Sequence, residues 1–150
     1  MAGLYFEQFQ EGQVFKHEFT RSITESDNML FCNMTLNPQP LHIDFDFAKN
    51  TEFGQPLVNS LFTLGLVIGI SVYDTTLGTT IANLGMKDTQ FPHPVFHGDT
   101  IRVETIVKSK RESKSRPNAG IVEFEHQGYN QRGEVVCICL RSAFMRRQPA

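Results

Sequence analysis

The sequence has no tryptophan, only three cysteines, and positive and negative charges that nearly cancel. Cys32, Cys137 and Cys139 form an odd set without the paired spacing of a zinc knuckle or a disulfide framework, so we expect reduced structural thiols. A net charge of -2 gives no general attraction for nucleic acid or an anionic membrane surface. The longest apolar stretch, residues 61–72, is too short and too interrupted to span a bilayer.

The first ten residues also lack the basic-then-apolar pattern of a secretory signal. We therefore expect neither a nucleic-acid nor a membrane partner, and a cytoplasmic location. Thirteen of the 150 residues are phenylalanine and 40% are hydrophobic, enough to build a core without metals or disulfides. No repeat or Pro/Ser-rich linker divides the chain, which predicts one domain over residues 1–150.

The segment Ser60 to Tyr73 predicts a long helix that is apolar on every face, and such a helix must be surrounded by protein. Gly65 and Gly69 lie four residues apart on it, where they would let a sheet or a partner helix approach closely. A capping signature at Thr24 opens a shorter helix, and residues 44–50 predict one further helical turn.

Alternating patterns predict strands elsewhere. They cover Gly12–Ile23, Thr79–Phe91, Thr100–Ser113, Ala119–Gln131 and Glu134–Arg146. No crossover helices separate the last four strands, which excludes a parallel sheet. The predicted fold is α+β, with an antiparallel sheet wrapped around one long central helix.

The candidate catalytic residues lie between Asn37 and Ser60. His42 follows the run Asn37-Pro38-Gln39-Pro40-Leu41, and an imidazole can take and return a proton near neutral pH. The Asn37 amide can orient a water molecule. The Ser60 N–H, at the start of the long helix, has no partner inside that helix and can stabilise an anionic oxygen. These groups favour addition of water to a polarised double bond, with His42, Asn37 and Ser60 as catalytic residues.

These segments resemble the MaoC-like, (R)-specific enoyl-CoA hydratase family, which has a hot-dog fold, and the resemblance covers nearly the whole chain. The family pattern Asp-x-Asn-Pro-x-His falls on Asn37, Gln39, Pro40 and His42, with two polar positions changed. Residues 56–60 and 91–100 also match family segments. Asn at position 37, the Gln39 to His42 run and the loop at residues 115–117 resemble the branch acting on mesaconyl-CoA or itaconyl-CoA.

The resemblance implies an acyl-CoA substrate, no cofactor, and a homodimer or higher oligomer with sites at the subunit interface. Gln39 and Asn59, which belong to the matching segments, are assigned to substrate binding. Arg116 ends a basic run and could clamp a distal carboxylate or CoA phosphates, or belong to a solvated hairpin. The remaining histidines show no metal-ligand spacing, so no zinc or iron is expected.

Other interpretations stay open. His42 could be a loop histidine that satisfies nearby carbonyls, Asn37 a turn residue, and Asp44 a cap for the following turn. The same helix tip would serve a hot-dog acyl-CoA thioesterase. The missing Asp at position 37 would suit a non-catalytic acyl-CoA-binding dimer module.

Overall fold

Long antiparallel strands fill the second half of the chain and one long helix precedes them, in a computed structural model that describes residues 3–149. The helices are α1 Glu25–Met34, α2 Pro40–Ile43, α3 Phe45–Ala48 and α4 Ser60–Thr75. The strands are β1 Val14–Lys16, β2 Arg21–Ser22, β3 Thr80–Gln90, β4 Thr100–Glu112, β5 Ala119–Tyr129 and β6 Val135–Arg146. A single 3-10 turn covers Phe6–Gln8.

The sheet has the order β1-β4-β5-β6-β3, with β2 also pairing with β4, and all its pairs are antiparallel. Helix α4 crosses β4, β5 and β6 on one face. Its buried side chains Val67 and Ile70 pack against Val103 and Val136, and fully burying such a side chain contributes about 1.5–3 kcal/mol. The predicted α+β class and the antiparallel sheet around a central helix are confirmed.

Local capping determines where the first helix begins. The Thr24 hydroxyl accepts from the Asp27 N–H, while the Asp27 carboxylate accepts from the Thr24 N–H, so the capping box predicted from the sequence is confirmed. Asp44 accepts from the Phe47 N–H and caps α3, as its position suggested.

The single strand predicted over Gly12–Ile23 is wrong, because this segment forms two short strands. Lys16 pairs with Glu104 and Arg21 pairs with Ile101. The first segment therefore advances five residues while β4 advances only three, which leaves two extra residues in the first segment. The His17 N–H still donates to the Val103 carbonyl, so the register is kept to this residue and the two extra residues lie between His17 and Arg21. The ladder is therefore interrupted after His17, whose imidazole bonds to Thr105.

The expectation that α4 is enclosed on every side is also wrong for this chain alone. Leu61 and Tyr73 are 61% and 65% exposed, and nothing lies within 4 Å of a Cβ built on Gly65 or Gly69. One apolar stripe of the helix therefore faces outward. Strand β3, which forms one edge of the sheet, is exposed along nearly all its length.

The three cysteines are buried and free. Burial raises the pKa of the Cys137 thiol to about 12, so that sulfur stays protonated. Within residues 3–149, no helix is both long enough and apolar enough to cross a membrane.

Candidate active site

His42 lies on the single turn of α2, and its orientation follows from one hydrogen bond. Its Nδ1 is 2.9 Å from the Leu57 carbonyl oxygen. A carbonyl can only accept, so Nδ1 carries the proton and the lone pair of the neutral ring is on Nε2. The ring is half-buried. His42 is therefore held in one orientation, and no group within residues 3–149 hydrogen-bonds to its Nε2.

The N-terminus of α4 supplies a hydrogen-bond donor, the Ser60 N–H, three residues after the Leu57 carbonyl. The Asn59 side chain caps the helix by accepting from the Leu61 N–H at 3.0 Å, and the Asn59 carbonyl accepts from the Thr63 N–H. Among residues 3–149 no acceptor pairs with the Ser60 N–H, at the positive end of the helix dipole. This N–H is available to an anionic oxygen.

A cavity of about 340 Å³ opens at this helix tip. Ser60 lines it, together with Leu57, whose carbonyl holds His42. Its other walls are mainly aromatic and proline side chains, among them Phe53 and Phe91. Leu57 therefore links the imidazole to an apolar space that adjoins the helix N-terminus.

Asn37 and Gln39 lie in the loop that leads into α2. The Asn37 side-chain oxygen accepts from the Gln39 N–H at 3.0 Å, which forms a local turn. The Asn37 side chain can still donate hydrogen bonds from its NH₂ group, and it is half-buried. Gln39 is exposed at the N-terminus of α2. Both residues accompany His42 in one short loop.

The structure gives Asn59 a different task from the substrate binding expected of it. Its side-chain oxygen caps α4, its NH₂ lies 3.7 Å from the Cys32 sulfur, and the residue is only 4% exposed. Both ends of the amide are engaged inside the protein. Asn59 therefore shapes the helix tip.

Arg116 is not brought to the tip of α4 within one chain. It lies in the β4–β5 hairpin, with its guanidinium 5.6 Å from the centre of the Phe144 ring. The cavity at Ser60 is bordered by Val136, on the same strand as Phe144. The eight residue steps from Val136 to Phe144 span roughly 27 Å along an antiparallel strand.

Asn28, which joins these segments, was not among the residues predicted from the sequence. Its side chain is fully buried in α1, and its NH₂ lies 3.1 Å from the His42 carbonyl oxygen and 3.0 Å from that of Leu57. Its side-chain oxygen accepts from the Asn59 N–H at 2.9 Å. Asparagine is a poor residue for a helix interior, and this is the signal that could have drawn attention to it.

His97 completes the polar cluster. Its Nε2 is 3.0 Å from the Asn28 NH₂. Burial lowers the pKa of His97, partly opposed by the charge of Glu25, which favours the neutral ring that can accept this bond. No group of three or more metal-ligating side chains occurs within residues 3–149.

Comparison with known proteins identifies the family. The family model described as a MaoC-like domain matches residues 7–130. The chain belongs to the MaoC-like domain family. This MaoC-like domain is 30% identical over 147 residues to a mesaconyl-CoA hydratase from Cereibacter sphaeroides, covering 98% of the chain and 42% of the relative. It is 32% identical over 146 residues to a beta-methylmalyl-CoA dehydratase from Chloroflexus aurantiacus, covering 97% and 41%.

The MaoC-like domain thus spans about two fifths of the length of these curated relatives. A solved structure described as a monoamine oxidase regulatory protein from Archaeoglobus fulgius superposes with a TM-score of 0.87 and 35% identity, covering 99% of both chains. A Mycobacterium tuberculosis protein described as having a double hot-dog fold matches with a TM-score of 0.88 and 22% identity over 99% of this chain and 46% of its own. The hot-dog fold is therefore confirmed.

Proposed function

We propose that this MaoC-like domain catalyses the addition of water to a 2-enoyl-CoA thioester and the reverse dehydration. The observation that carries the proposal is the His42 ring, whose Nδ1–H is bound to the Leu57 carbonyl so that Nε2 is the basic nitrogen. The N–H of Ser60, for which residues 3–149 provide no acceptor, lies three residues beyond that carbonyl. A base and an oxyanion donor are the two groups that this reaction needs most.

The proposed reaction follows from the electronics of the substrate. Nε2 of His42 takes a proton from water as the water oxygen bonds to C3. The π electrons then move toward C1, and the thioester oxygen becomes an enolate oxygen that the Ser60 N–H stabilises. The imidazolium returns its proton to C2. All atoms come from water and the thioester, so no cofactor is required.

Asn37 supports this scheme as an orienting group. Its side-chain oxygen already accepts from the Gln39 N–H, so its NH₂ is free to donate to the attacking water. An amide cannot deliver a proton as a carboxylic acid would. His42 must therefore serve as base in the first step and as acid in the second.

For the substrate we propose a C5 dicarboxylic acyl-CoA such as mesaconyl-CoA or itaconyl-CoA. The relative from Cereibacter sphaeroides is named a mesaconyl-CoA hydratase, and the match covers 98% of this MaoC-like domain. Gln39, exposed beside His42, is proposed to bind the substrate. A distal carboxylate also requires a cation, and Arg116 is the residue proposed for it.

A second copy of the chain would supply that cation, so we propose a homodimer. The apolar stripe of α4 and the edge strand β3 are both exposed. Two copies joined antiparallel along β3 would place the hairpin end of one sheet beside the α4 tip of the other. Sedimentation should therefore give a dimeric mass, and Leu61→Glu should shift it to the monomer. A monomeric wild-type protein would contradict this part of the proposal.

The enzymatic proposal is tested with purified protein and a panel of mono- and dicarboxylic enoyl-CoA thioesters, including crotonyl-CoA. We expect loss of 2-enoyl-thioester absorbance without release of free thiol. Thiol release, followed with a thiol reagent, would instead support a thioesterase that uses the same helix tip. Binding of CoA thioesters with neither change would support a non-catalytic module. The cytoplasmic location stays a prediction.

A further inference from the structure

We propose that Asn28 is a positioning residue that fixes the base and the oxyanion donor relative to each other. This inference rests on the proposed hydratase function. Asn28 is fully buried, and its single amide reaches both the His42 carbonyl and the Asn59 N–H. Those two backbone groups belong to the turn that carries the base and to the cap that precedes Ser60. One side chain therefore bonds both halves of the site.

The amide also controls the direction of the Leu57 carbonyl. That oxygen accepts from Asn28 Nδ2 at 3.0 Å and from His42 Nδ1 at 2.9 Å, which uses both of its lone pairs. The carbonyl cannot turn toward either donor without lengthening the other bond. Because His42 keeps its proton on Nδ1 only while this acceptor faces it, Asn28 acts on the tautomer of His42 through Leu57.

The hydrogen-bond inventory of Asn28 fits a fixed orientation. Its NH₂ has two protons and lies near three acceptors, the carbonyls of His42 and Leu57 and Nε2 of His97. Its oxygen accepts from the Asn59 N–H, and the Cys32 thiol lies 3.8 Å away. Turning the amide over would place its oxygen against two carbonyl oxygens. This network therefore excludes the flipped arrangement of Asn28.

The kinetic test compares Asn28→Ala and Asn28→Asp with the matched control Asn33→Ala. Asn33 lies on the same helix but is exposed. For the two Asn28 variants we expect kcat for enoyl-CoA hydration to fall about 10- to 100-fold, as misplacement of reacting groups by about 1 Å does. KM should stay within about threefold, because no contact with substrate is removed. Equal kcat values for Asn28→Ala and Asn33→Ala would overturn the proposal.

A spectroscopic test does not depend on a variant that folds. Nitrogen-15 NMR of the His42 ring in the unaltered protein at pH 8 should report the tautomer with the proton on Nδ1. In Asn28→Ala, if it folds, the two tautomers should become mixed. A wild-type ring protonated on Nε2, or a folded Asn28→Ala with the wild-type tautomer, would refute the positioning role.

The two proposals fail in distinguishable ways. Wild-type protein that is inactive on every enoyl-CoA tested would remove the hydratase proposal. An active wild-type enzyme whose Asn28 variants keep both kcat and the His42 tautomer would remove only the role of Asn28.

Discussion

Replacing His42 by alanine separates the chemical role of this residue from its structural one. The imidazole is half-buried and, within residues 3–149, makes a single hydrogen bond, from Nδ1 to the Leu57 carbonyl. After the substitution that carbonyl still accepts from Asn28. No buried acceptor is left without a partner, so the cost should be that of one net hydrogen bond, about 0.5–1.5 kcal/mol.

Such a cost corresponds to a fall in Tm of no more than about 6 °C for a chain of this size. Turnover should fall much further. A general base contributes roughly 10²- to 10⁴-fold, which corresponds to about 2.7–5.4 kcal/mol of activation free energy. The assay measures the initial rate of absorbance loss of an enoyl-CoA thioester beside a thermal unfolding curve for the same preparation.

A second variant, His42→Asn, is the matched control for packing. Its amide could still donate to the Leu57 carbonyl, but it cannot take a proton from water. We expect stability closer to wild type and turnover as low as in His42→Ala. If His42→Ala keeps more than a tenth of wild-type turnover, or loses turnover only because it unfolds, the assignment of His42 as general base is wrong.

Three further predictions concern other residues. Gly128→Ala should destabilise the protein by about 1–3 kcal/mol in denaturant unfolding, because the new Cβ would lie 2.5 Å from Val67 Cγ2 under α4, and an unchanged midpoint would contradict this packing. Burial and the charges of Arg141 and His17 hold the pKa of His126 well below its usual range. Above about pH 6.5 the neutral His126 ring should not reduce the free energy of unfolding. Below that pH the unfolded chain binds a proton that folded His126 does not bind. The free energy of unfolding should then fall by up to about 1.4 kcal/mol per pH unit, until the pH drops below the pKa of His126 in the folded protein. In urea titrations at several pH values His126→Gln should flatten this decline, and an equal slope in both proteins would refute the assignment. Asn37→Asp should keep or raise kcat, since it restores the carboxylate of the family pattern, and a tenfold loss would show that the amide itself is required.

Much of the fold could be predicted from the sequence because its signals are local. The capping box at Thr24 and Asp27 involves residues three apart, and it determines the start of α1 without reference to the rest of the chain. The bounds of β3 to β6 follow from alternation and from turn residues, and they agree with the predicted strands to within two residues. Helix α4 was predicted to run from Ser60 to Tyr73. In the structure it begins at Ser60 and ends two residues later than predicted.

The features that were missed depend on contacts between distant segments. The break between β1 and β2 accompanies the pairing of His17 with Asp74 and Thr105, which are far from it in sequence. The exposed stripe of α4 cannot be distinguished from a buried one by hydrophobicity, because a helix face that meets another copy carries the same apolar residues.

The candidate site divides in the same way. His42 and Ser60 could be found because their neighbours form recognisable motifs. The cap formed by Asn59 and the cluster around Asn28 could not, since both require knowing which carbonyls and N–H groups the fold brings together. The basic run that contains Arg116 likewise could not indicate how far this residue lies from the tip of α4.

Isotope incorporation tests whether water adds to C3 of the thioester with His42 as the base. Wild-type protein is incubated with mesaconyl-CoA or crotonyl-CoA in H₂¹⁸O and, separately, in D₂O, and the intact thioester products are analysed by mass spectrometry. We expect ¹⁸O bonded to C3 in the first solvent and deuterium on C2 in the second, with both signals lost in His42→Ala. Appearance of ¹⁸O in a released free acid, with CoA set free and C3 unlabelled, would contradict this expectation.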